Sequence, residues 1–513
     1  MPRETTPSFV VELPLATSLG DEKKLWNKLK AGCSLYNGCL GEAKKRLNRM
    51  RENKAWKAAC SIKDKKVRSK RIGELCKVFG FTSVSMQKFA EKMRDASFIG
   101  HHLKSHDTQT VSKRAFEAVQ RAAFGKLKPG EKRRPKVRFK SLRQFKSISG
   151  KADTVLLFRQ SEDGGAFFKW GDVKVPVMLD PKDAWQREAL DESKHKTKYT
   201  RCIKRVIKGR ERWFIQVVKE GLVPQRKSWT YGQGEVGLDI GPSTVAVVSQ
   251  KLATWRGFCA ELDFFEKRVR VLQRKLERSR RATNPQCYNE NGTFKKGAKV
   301  LNVSKSYDAT RKELAEIMRR LAAARKSAHG ALCNLVLSMG HIIKMEKLSY
   351  KAFQKMFGKS VGRRAPGMFV SMLRRKAASA GAEVIEFSTY DTRLSQYDHK
   401  ADAYIKKPLS LRWHVFADGS KVQRDVYSAW LALFVEKTSV GMKDTLDSSR
   451  CVRHWGAMEP LLKEAGSRFN ESVSVDDVLQ KTLEATGGDE SISDRQNASS
   501  LEVRQPSVSA ALL

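Results

Sequence analysis

No C-x-x-C pair occurs in this 513-residue chain, and its nine cysteines stand singly. That spacing indicates neither a zinc ribbon nor a disulfide framework, so the thiols are read as reduced, small buried hydrophobes. Acidic residues are scarce: Asp plus Glu number 55 against 100 Lys plus Arg, a formal net charge of +45. A long apolar run and a basic amphipathic anchor are also missing, which argues against a membrane as partner. The segment Met1 to Leu15 is broken by Glu12 and Pro14 and lacks the basic start and cleavage site of a secretory signal, so a cytoplasmic location is expected.

The charge exceeds what solubility requires, and a nucleic acid is the economical polyanion to match it. The length suggests two or three folding units, and a hydrophobic content of 40% suffices for real cores.

Glu235 to Ser249 reads as a β-hairpin, two apolar runs on either side of Gly241-Pro-Ser-Thr244. Asp239 lies inside the first run, between Leu238 and Ile240, where an unpaired carboxylate is expensive to bury. A cap on the following turn is the competing explanation. Met339 to Leu348 is an alternating apolar run that delivers Glu346 at a strand tip. From Lys421 to Phe434, Val426, Trp430 and Leu433 recur at helical spacing and put Asp425 in a first helical turn, where an ordinary cap or dipole partner is the alternative. Three converging carboxylates can hold two Mg²⁺, which take oxygen ligands, activate a water and stabilise a leaving phosphodiester oxygen.

Along the chain, Ser8 to Leu13 reads as a strand, and Asp21 as the cap of a helix through Leu25, Leu29, Tyr36 and Leu40. Basic helices follow to about Phe124, and a break falls at Lys128 to Pro135. In Lys136 to Lys146, Phe139 and Phe145 interleave with Arg138, Lys140, Arg143 and Lys146, a pattern that suits base stacking with phosphate contact and equally an amphipathic edge strand. Strands are expected from Thr154 to Phe158, from Ala166 to Met178, and in a hairpin from Arg201 to Val218 turning at Lys208-Gly209-Arg210. Together they suggest a small β-barrel or sheet into which the helical region is inserted.

Glu261 to Arg281 is expected to be a long helix with a buried stripe of Phe265, Val269, Leu272 and Leu276, and with Arg268, Arg274, Arg278 and Arg281 as backbone-contacting cations. A helix from Asp308 to Met339 follows, on which His329 reads as a packing residue. Lys351 to Pro366, with Arg363 and Arg364, reads as a basic loop. A helix with Phe369, Leu373 and Ala377 then leads to a strand over Ala382 to Phe387. From about Ser472 the composition is acidic and poor in apolar residues, as in a disordered tail.

The Asp on a hairpin strand, the Glu ending a later strand and the Asp at a helix start resemble the three motifs of a RuvC-type nuclease on a ribonuclease H-like fold. With the basic helical insert, the order of parts resembles TnpB, the transposon-encoded RNA-guided nuclease, and its descendants, the compact type V CRISPR effectors. The matching stretches are Val236-Gly-Leu-Asp239-Ile-Gly, Ile342-Ile-Lys-Met-Glu346-Lys-Leu, Phe369 to Val384, Ser395-Gln396 and Arg424-Asp425.

The resemblance implies an α+β multidomain chain. Residues 1–20 would supply the first strand of a wedge-like β-barrel domain, 21–127 a helical recognition insert and 128–230 the rest of the wedge. A split RuvC domain would span 231–440, with the Arg-rich helix at 261–281 and a lid at 391–423, before an extension over 441–513. It further implies Asp239, Glu346 and Asp425 as catalytic ligands of two Mg²⁺, with a guide RNA and target double-stranded DNA as partners. Arg138, Lys140, Arg143, Lys146, Arg268, Arg274, Arg278, Arg281, Arg363, Arg364 and Arg424 would contact nucleic acid.

Two departures bear on this. The family commonly has a four-Cys zinc ribbon between Ser395 and Arg424, and this chain has no Cys there. Asp398, His399, Asp402, His414 and Asp418 could hold a metal, but without thiolates zinc is not expected and a metal-free lid is. The family also tends to place Asn two residues after the last Asp, where Tyr427 stands. The leading expectation is an RNA-guided, Mg²⁺-dependent DNA endonuclease. Its alternatives are an RNA-guided DNA-binding protein that represses without cutting, a guide-independent structure-selective nuclease, and a basic RNA-binding protein. Nothing in the sequence fixes an oligomeric state.

Overall fold

The computed structural model describes residues 6–125, 137–150, 154–161, 164–224, 231–298, 302–408, 410–438 and 443–469. The expected break at Lys128 to Pro135 and the acidic tail from about 472 lie outside these. The chain divides into two units, Met1–Lys227 and Ser228–Leu513.

The first unit comprises β1 (Ser8–Pro14), α1 (Leu19–Glu52), α2 (Lys54–Ser61), α3 (Lys65–Val78), α4 (Ser83–Asp95), α5 (Ser105–Phe124), β2 (Ser147–Gly150), β3 (Leu156–Gln160), β4 (Ala166–Trp170), β5 (Val173–Pro176), α6 (Ala184–Leu190), β6 (Thr197–Ile207) and β7 (Arg210–Glu220). Alternation orients β1, whose Phe9, Val11 and Leu13 are buried while Ser8 and Val10 are exposed. Lys208 and Gly209, at φ 49° and 75°, form the two-residue turn between β6 and β7, as twisted hairpins require.

The strands form two sheets, β1-β7-β6-β2 and β3-β4-β5, and no closed barrel forms among the described residues. Beyond Pro14 the two sheets are joined by the bridge between Leu15 and Val177, with Met178 N donating to Pro14 O and Ala16 N to Pro176 O, each at 2.9 Å, and Thr200 Oγ1 of β6 donates to Leu156 O of β3. The chain then turns away because Ser18 opens a capping box: Asp21 N donates to Ser18 Oγ at 3.1 Å, and Ser18 N to Asp21 Oδ2 at 3.0 Å. Ser18, not Asp21, is therefore the cap of α1. Leu25, Leu29, Tyr36 and Leu40 form its buried stripe as expected.

Residues 137–146 do not form the edge strand that is one of the two expectations for them. They are irregular chain tied to α1, with Asn37 Nδ2 donating to Lys140 O at 2.8 Å and Lys140 N to Asn37 Oδ1 at 2.9 Å. Phe145 is buried beside Tyr36 in the core, whereas Phe139 is exposed.

The second unit comprises β8 (Glu235–Ile240), β9 (Thr244–Ser249), β10 (Ala253–Gly257), α7 (Phe264–Thr283), α8 (Lys305–Met339), β11 (Ile342–Glu346), α9 (Tyr350–Arg364), α10 (Pro366–Ala380), β12 (Glu383–Phe387), α11 (Thr389–Thr392), β13 (Tyr397–Asp398), β14 (Ala403–Tyr404), β15 (Trp413–Val415), β16 (Lys421–Gln423), α12 (Arg424–Ala432), β17 (Val435–Glu436), β18 (Thr445–Leu446) and α13 (Ser448–Ser467). Its central sheet runs β10-β9-β8-β11-β12, antiparallel across the hairpin and parallel from β8 through β11 to β12.

The period of two in β8 separates its faces. Val236, Leu238 and Ile240 join a core with α8 and α10 residues such as Val336 and Phe369, as Ile343 and Met345 of β11 do. Gly237 and Asp239 face the other way, where α12 lies. A Cβ on Gly237 would stand 1.8 Å from Ala429 O, so the backbone of α12 rests directly on the strand. At the C-terminal end of α12, buried Lys344 donates to Leu433 O at 2.7 Å and pairs with Glu235 at 2.8 Å. A buried amine is tolerable only with such partners, and here it also neutralises the negative helix end.

One expectation fails in this unit. Residues 351–364 are helix, not loop: Ser349 caps α9, and Phe357, at φ −122° and ψ 32°, kinks it just before Gly358. Beyond Thr438, α13 is a full helix despite Pro460. Its Trp455, Met458 and Leu462 belong to the same core as Val426 and Trp430 of α12.

Gly237→Ala should cost about 3 kcal/mol or more, because the clash is with backbone that cannot swing aside. Gly330→Ala in α8, where an added Cβ meets nothing within 4 Å, should instead stabilise by about 1 kcal/mol. Thermal unfolding of the two variants beside the parent checks both signs, and a Gly237→Ala protein as stable as the parent would contradict this packing.

Candidate functional site

The strand register assembles the acidic site. Leu238 pairs with Met345 in parallel, so Asp239 and Glu346, one residue further on, end neighbouring strands on the same face, the one covered by α12. Asp425 enters from the first turn of α12, whose N-terminus is fixed by the buried Gln423: its Oε1 accepts from Val426 N at 2.8 Å. Asp425 Oδ2 accepts from Thr244 Oγ1 at 3.0 Å, which ties the helix to the hairpin turn.

Burial first, and then repulsion from Asp425 and Glu346, push the Asp239 carboxyl well above the usual carboxylate range; Arg424 offsets part of this. Burial raises Glu346 from 4.5 to about 7. Arg424 Nε, 4.0 Å from Asp425 Oδ1, is the nearby cation, and its Nη1 donates to Pro408 O at 3.4 Å. The site therefore carries more acid than its protein surroundings neutralise.

Among the described residues no three His, Cys, Asp or Glu side chains gather closely enough to cage one ion. The chemistry of the donor set still fits Mg²⁺, a hard cation that takes one or two carboxylates with waters and substrate phosphate oxygens rather than an all-protein cage. Asp239, Glu346 and Asp425 would hold it.

The cations named from sequence separate into free and engaged groups. Arg138, Arg143 and Lys146 are exposed on the irregular segment. Lys140 is half-buried over the Tyr36 ring at 4.5 Å, and burial lowers its pKa. On α7, Arg274 and Arg278 are exposed, whereas Arg268 pairs with Glu313, its Nε at 3.1 Å, and Arg281 with Glu277 at 3.2 Å. Arg363 bonds Asp263 at 2.6 Å and Glu266 at 2.5 Å. Arg364 is buried and donates to Asp263, Phe258 O and Ser360 Oγ, which makes it an internal tie of the fold. His329 is the packing residue expected, stacked on Phe258 and bonded to Arg364 O at 2.8 Å.

In residues 391–423, expected to form a lid, the candidate metal donors are occupied by one another and by aromatic rings. His414 Nε2 lies 3.1 Å from Asp398 Oδ2, and Asp398 Oδ1 accepts from the amides of Lys400 and Ala401. Asp402 accepts from the Tyr397 hydroxyl at 2.7 Å, and Asp418 pairs with Lys400 at 2.6 Å. Burial lowers His399 to about 4, so the ring is neutral. It packs against Phe416, Trp430 and Trp455, and its Nδ1 is 2.7 Å from the Tyr427 hydroxyl, which also accepts from His399 N at 3.1 Å. Tyr427 thus fastens the lid to the helix that carries Asp425.

Gly237, Lys344 and Tyr427 are the positioning residues that sequence reasoning missed. A Gly inside an apolar strand and a lone Lys between Ile343 and Met345 were their signals.

No family model matches the chain, and no curated protein matches it. It is similar to a number of solved structures, among them two that match it along most of its length. The Cas12f1-sgRNA-target DNA complex shares 10% identity at a TM-score of 0.39, covering 83% of this chain and 98% of that one. The CRISPR-Cas12f ternary complex shares 10% identity at a TM-score of 0.27, covering 84% of each chain.

Because the folded-state value of Glu346 lies above 4.5, its protonated form is the one folding favours. That stabilisation is complete below pH 4.5 and is lost as pH rises through about 7. In metal-free buffer at pH 8, Glu346→Gln should therefore exceed the parent in stability by an amount on the order of 3 kcal/mol, and at pH 4.5 the two should converge. Equal melting of the two proteins at pH 8 would show that the site does not strain this carboxylate.

Tyr427→Phe leaves His399 N and Nδ1 without their partner, at a cost of about 1–3 kcal/mol. Hydrogen exchange should accelerate in residues 397–423 and stay unchanged in α8. Uniform acceleration would mean that Tyr427 serves the core alone.

Proposed function

We propose that this chain is an RNA-guided DNA endonuclease of the compact type V CRISPR or TnpB kind, with a ribonuclease H-like RuvC centre at Asp239, Glu346 and Asp425. The observation that carries this reading is the meeting of the three carboxylates: two end adjacent parallel strands and the third enters on the helix packed over them, with Asp239 feeling the charge of both others. A purely structural role would not bring like charges together in a buried place.

Bound there, Mg²⁺ would supply an activated water and stabilise the leaving oxygen of the phosphodiester. The chain's own residues do the rest. Thr244 orients Asp425, Gly237 lets α12 settle close enough to present it, and Lys344 and Gln423 hold the two ends of that helix. Exposed Arg274 and Arg278 supply phosphate contacts that position a strand without reading sequence. Guide RNA and target double-stranded DNA are the partners this reading requires, and the net charge of +45 supports a polyanion of that size.

A second reading is guided binding without cutting, which would draw on the same cationic surface and would need none of the three carboxylates.

Cleavage of duplex DNA by the guide-loaded protein in Mg²⁺ separates the two. Asp239→Ala should lower the cutting rate at least 1,000-fold, about 4 kcal/mol of transition-state stabilisation, while leaving RNA retention unchanged. Undiminished cutting by this variant would remove the assigned centre, and no cutting by the parent would favour the binding-only reading.

A further inference from the structure

Helix α7 is amphipathic, yet of its stripe of Phe265, Val269, Leu272 and Leu276 only Leu272 is fully buried. The first half of the stripe instead faces a cavity of about 690 Å³ between α7, α8 and α9. Its floor is apolar, formed by Phe265, Val269, Met318, Leu321 and Ala322. Its rim is cationic: Arg270, Arg274, Arg325, Lys359 and Arg363 surround a single carboxylate, Glu266.

That carboxylate is already engaged by Arg270 and by Arg363. Arg274 and Lys359 are exposed and, among the described residues, have no acidic partner. The Nε of Arg325 is buried with no hydrogen-bond acceptor. Phe264, 83% exposed, meets Phe265 edge to face at the start of α7. An apolar floor that admits a flat ring, a half-buried Phe265 within it and cations at the rim ask for a planar apolar body joined to an anion. The volume is that of an ordinary ligand site. The free cations continue to Arg278, one turn beyond Arg274, so the complement is a polyanion rather than an isolated small acid.

We propose that this cavity receives one unstacked nucleotide of a bound single strand, its base on the Phe265–Met318 floor and its phosphate between Arg274 and Lys359. The proposal rests on the reading that the chain binds nucleic acid. Stacking on an aromatic contributes about 1–3 kcal/mol per base, and Arg and Lys at the mouth hold the backbone without selecting sequence. The site would fix the register of the strand along α7.

The test uses the full chain purified with the RNA it retains, irradiated at short wavelength with and without added target DNA, with nucleotide adducts mapped by peptide mass spectrometry. An adduct at Phe264 or Phe265 is expected. Its presence before DNA is added assigns the nucleotide to the RNA; its appearance only afterwards assigns it to a DNA strand. Ala322→Leu, which fills the floor from an exposed helical position, should lower that adduct at least tenfold with total bound nucleic acid unchanged. The double variant Arg274→Gln and Lys359→Gln should lower it similarly. Adducts elsewhere in the chain but none at these phenylalanines would overturn the cavity assignment and leave the nucleic-acid reading standing. So would an adduct that neither variant diminishes. Retention of no nucleic acid under any condition would overturn both.

Discussion

The second unit depends on the direct contact between the backbone of α12 and strand β8 at Gly237. With any side chain at that position the helix would ride higher, and Asp425, carried on its first turn, would move away from Asp239. The contact has a cost, since a strand glycine forfeits side-chain packing and adds backbone entropy to the unfolded chain. The surroundings offset it: Trp430, Val426 and Leu431 fill the space beside the contact, and Lys344 holds the carbonyl at the far end. Helix position, and with it the geometry of the acidic site, is set by a missing atom at one place and a buried cation at another.

The lid shows the same economy. Where the resemblance implies a zinc ribbon, this chain builds a small core of His399, His414, Phe416, Tyr427, Trp430 and Trp455, closed by the Asp398–His414 contact. A structural zinc supplies folding energy at one point through thiolates. An aromatic cluster supplies it through area and through ring contacts of about 0.5–1.5 kcal/mol each. It needs more of the chain to do so, and α13, which contributes Trp455, provides it.

Much of this was legible in the sequence, for reasons that differ by residue. Asp239, Glu346 and Asp425 were visible because a carboxylate within or at the edge of an apolar run violates the local pattern. The alternation of β1 and the Lys208-Gly209 turn follow from periods and torsions that neighbours alone decide. What failed needed distant partners. Phe139 and Phe145 both lie among basic residues, yet Phe145 is buried beside Tyr36 while Phe139 is exposed. Arg363 and Arg364 are adjacent, yet the second is walled in by Asp263, Phe258 and Ser360. Lys351 to Pro366 reads as a basic loop, and helix α9, capped by Ser349, forms there instead. The strands form two open sheets, β1-β7-β6-β2 and β3-β4-β5, in place of a closed barrel.

The charges of the molecule act at two ranges. A net charge of +45 attracts a polyanion over distances up to roughly a Debye length, whatever lies at the centre. At contact range, three carboxylates beside Arg424 disfavour a phosphate; burial makes Asp239 and Glu346 hold their protons more tightly than usual, and repulsion from Asp425 and Glu346 adds to it at Asp239. Under the proposed function these two facts assign separate tasks. Binding draws on the Arg and Lys surface and weakens with salt, whereas bringing a phosphodiester against Asp239 requires a divalent cation to reverse the local sign. Removing that cation, or one carboxylate, would then spare binding and stop the chemistry, because the two functions rest on opposite charges held in different parts of the fold.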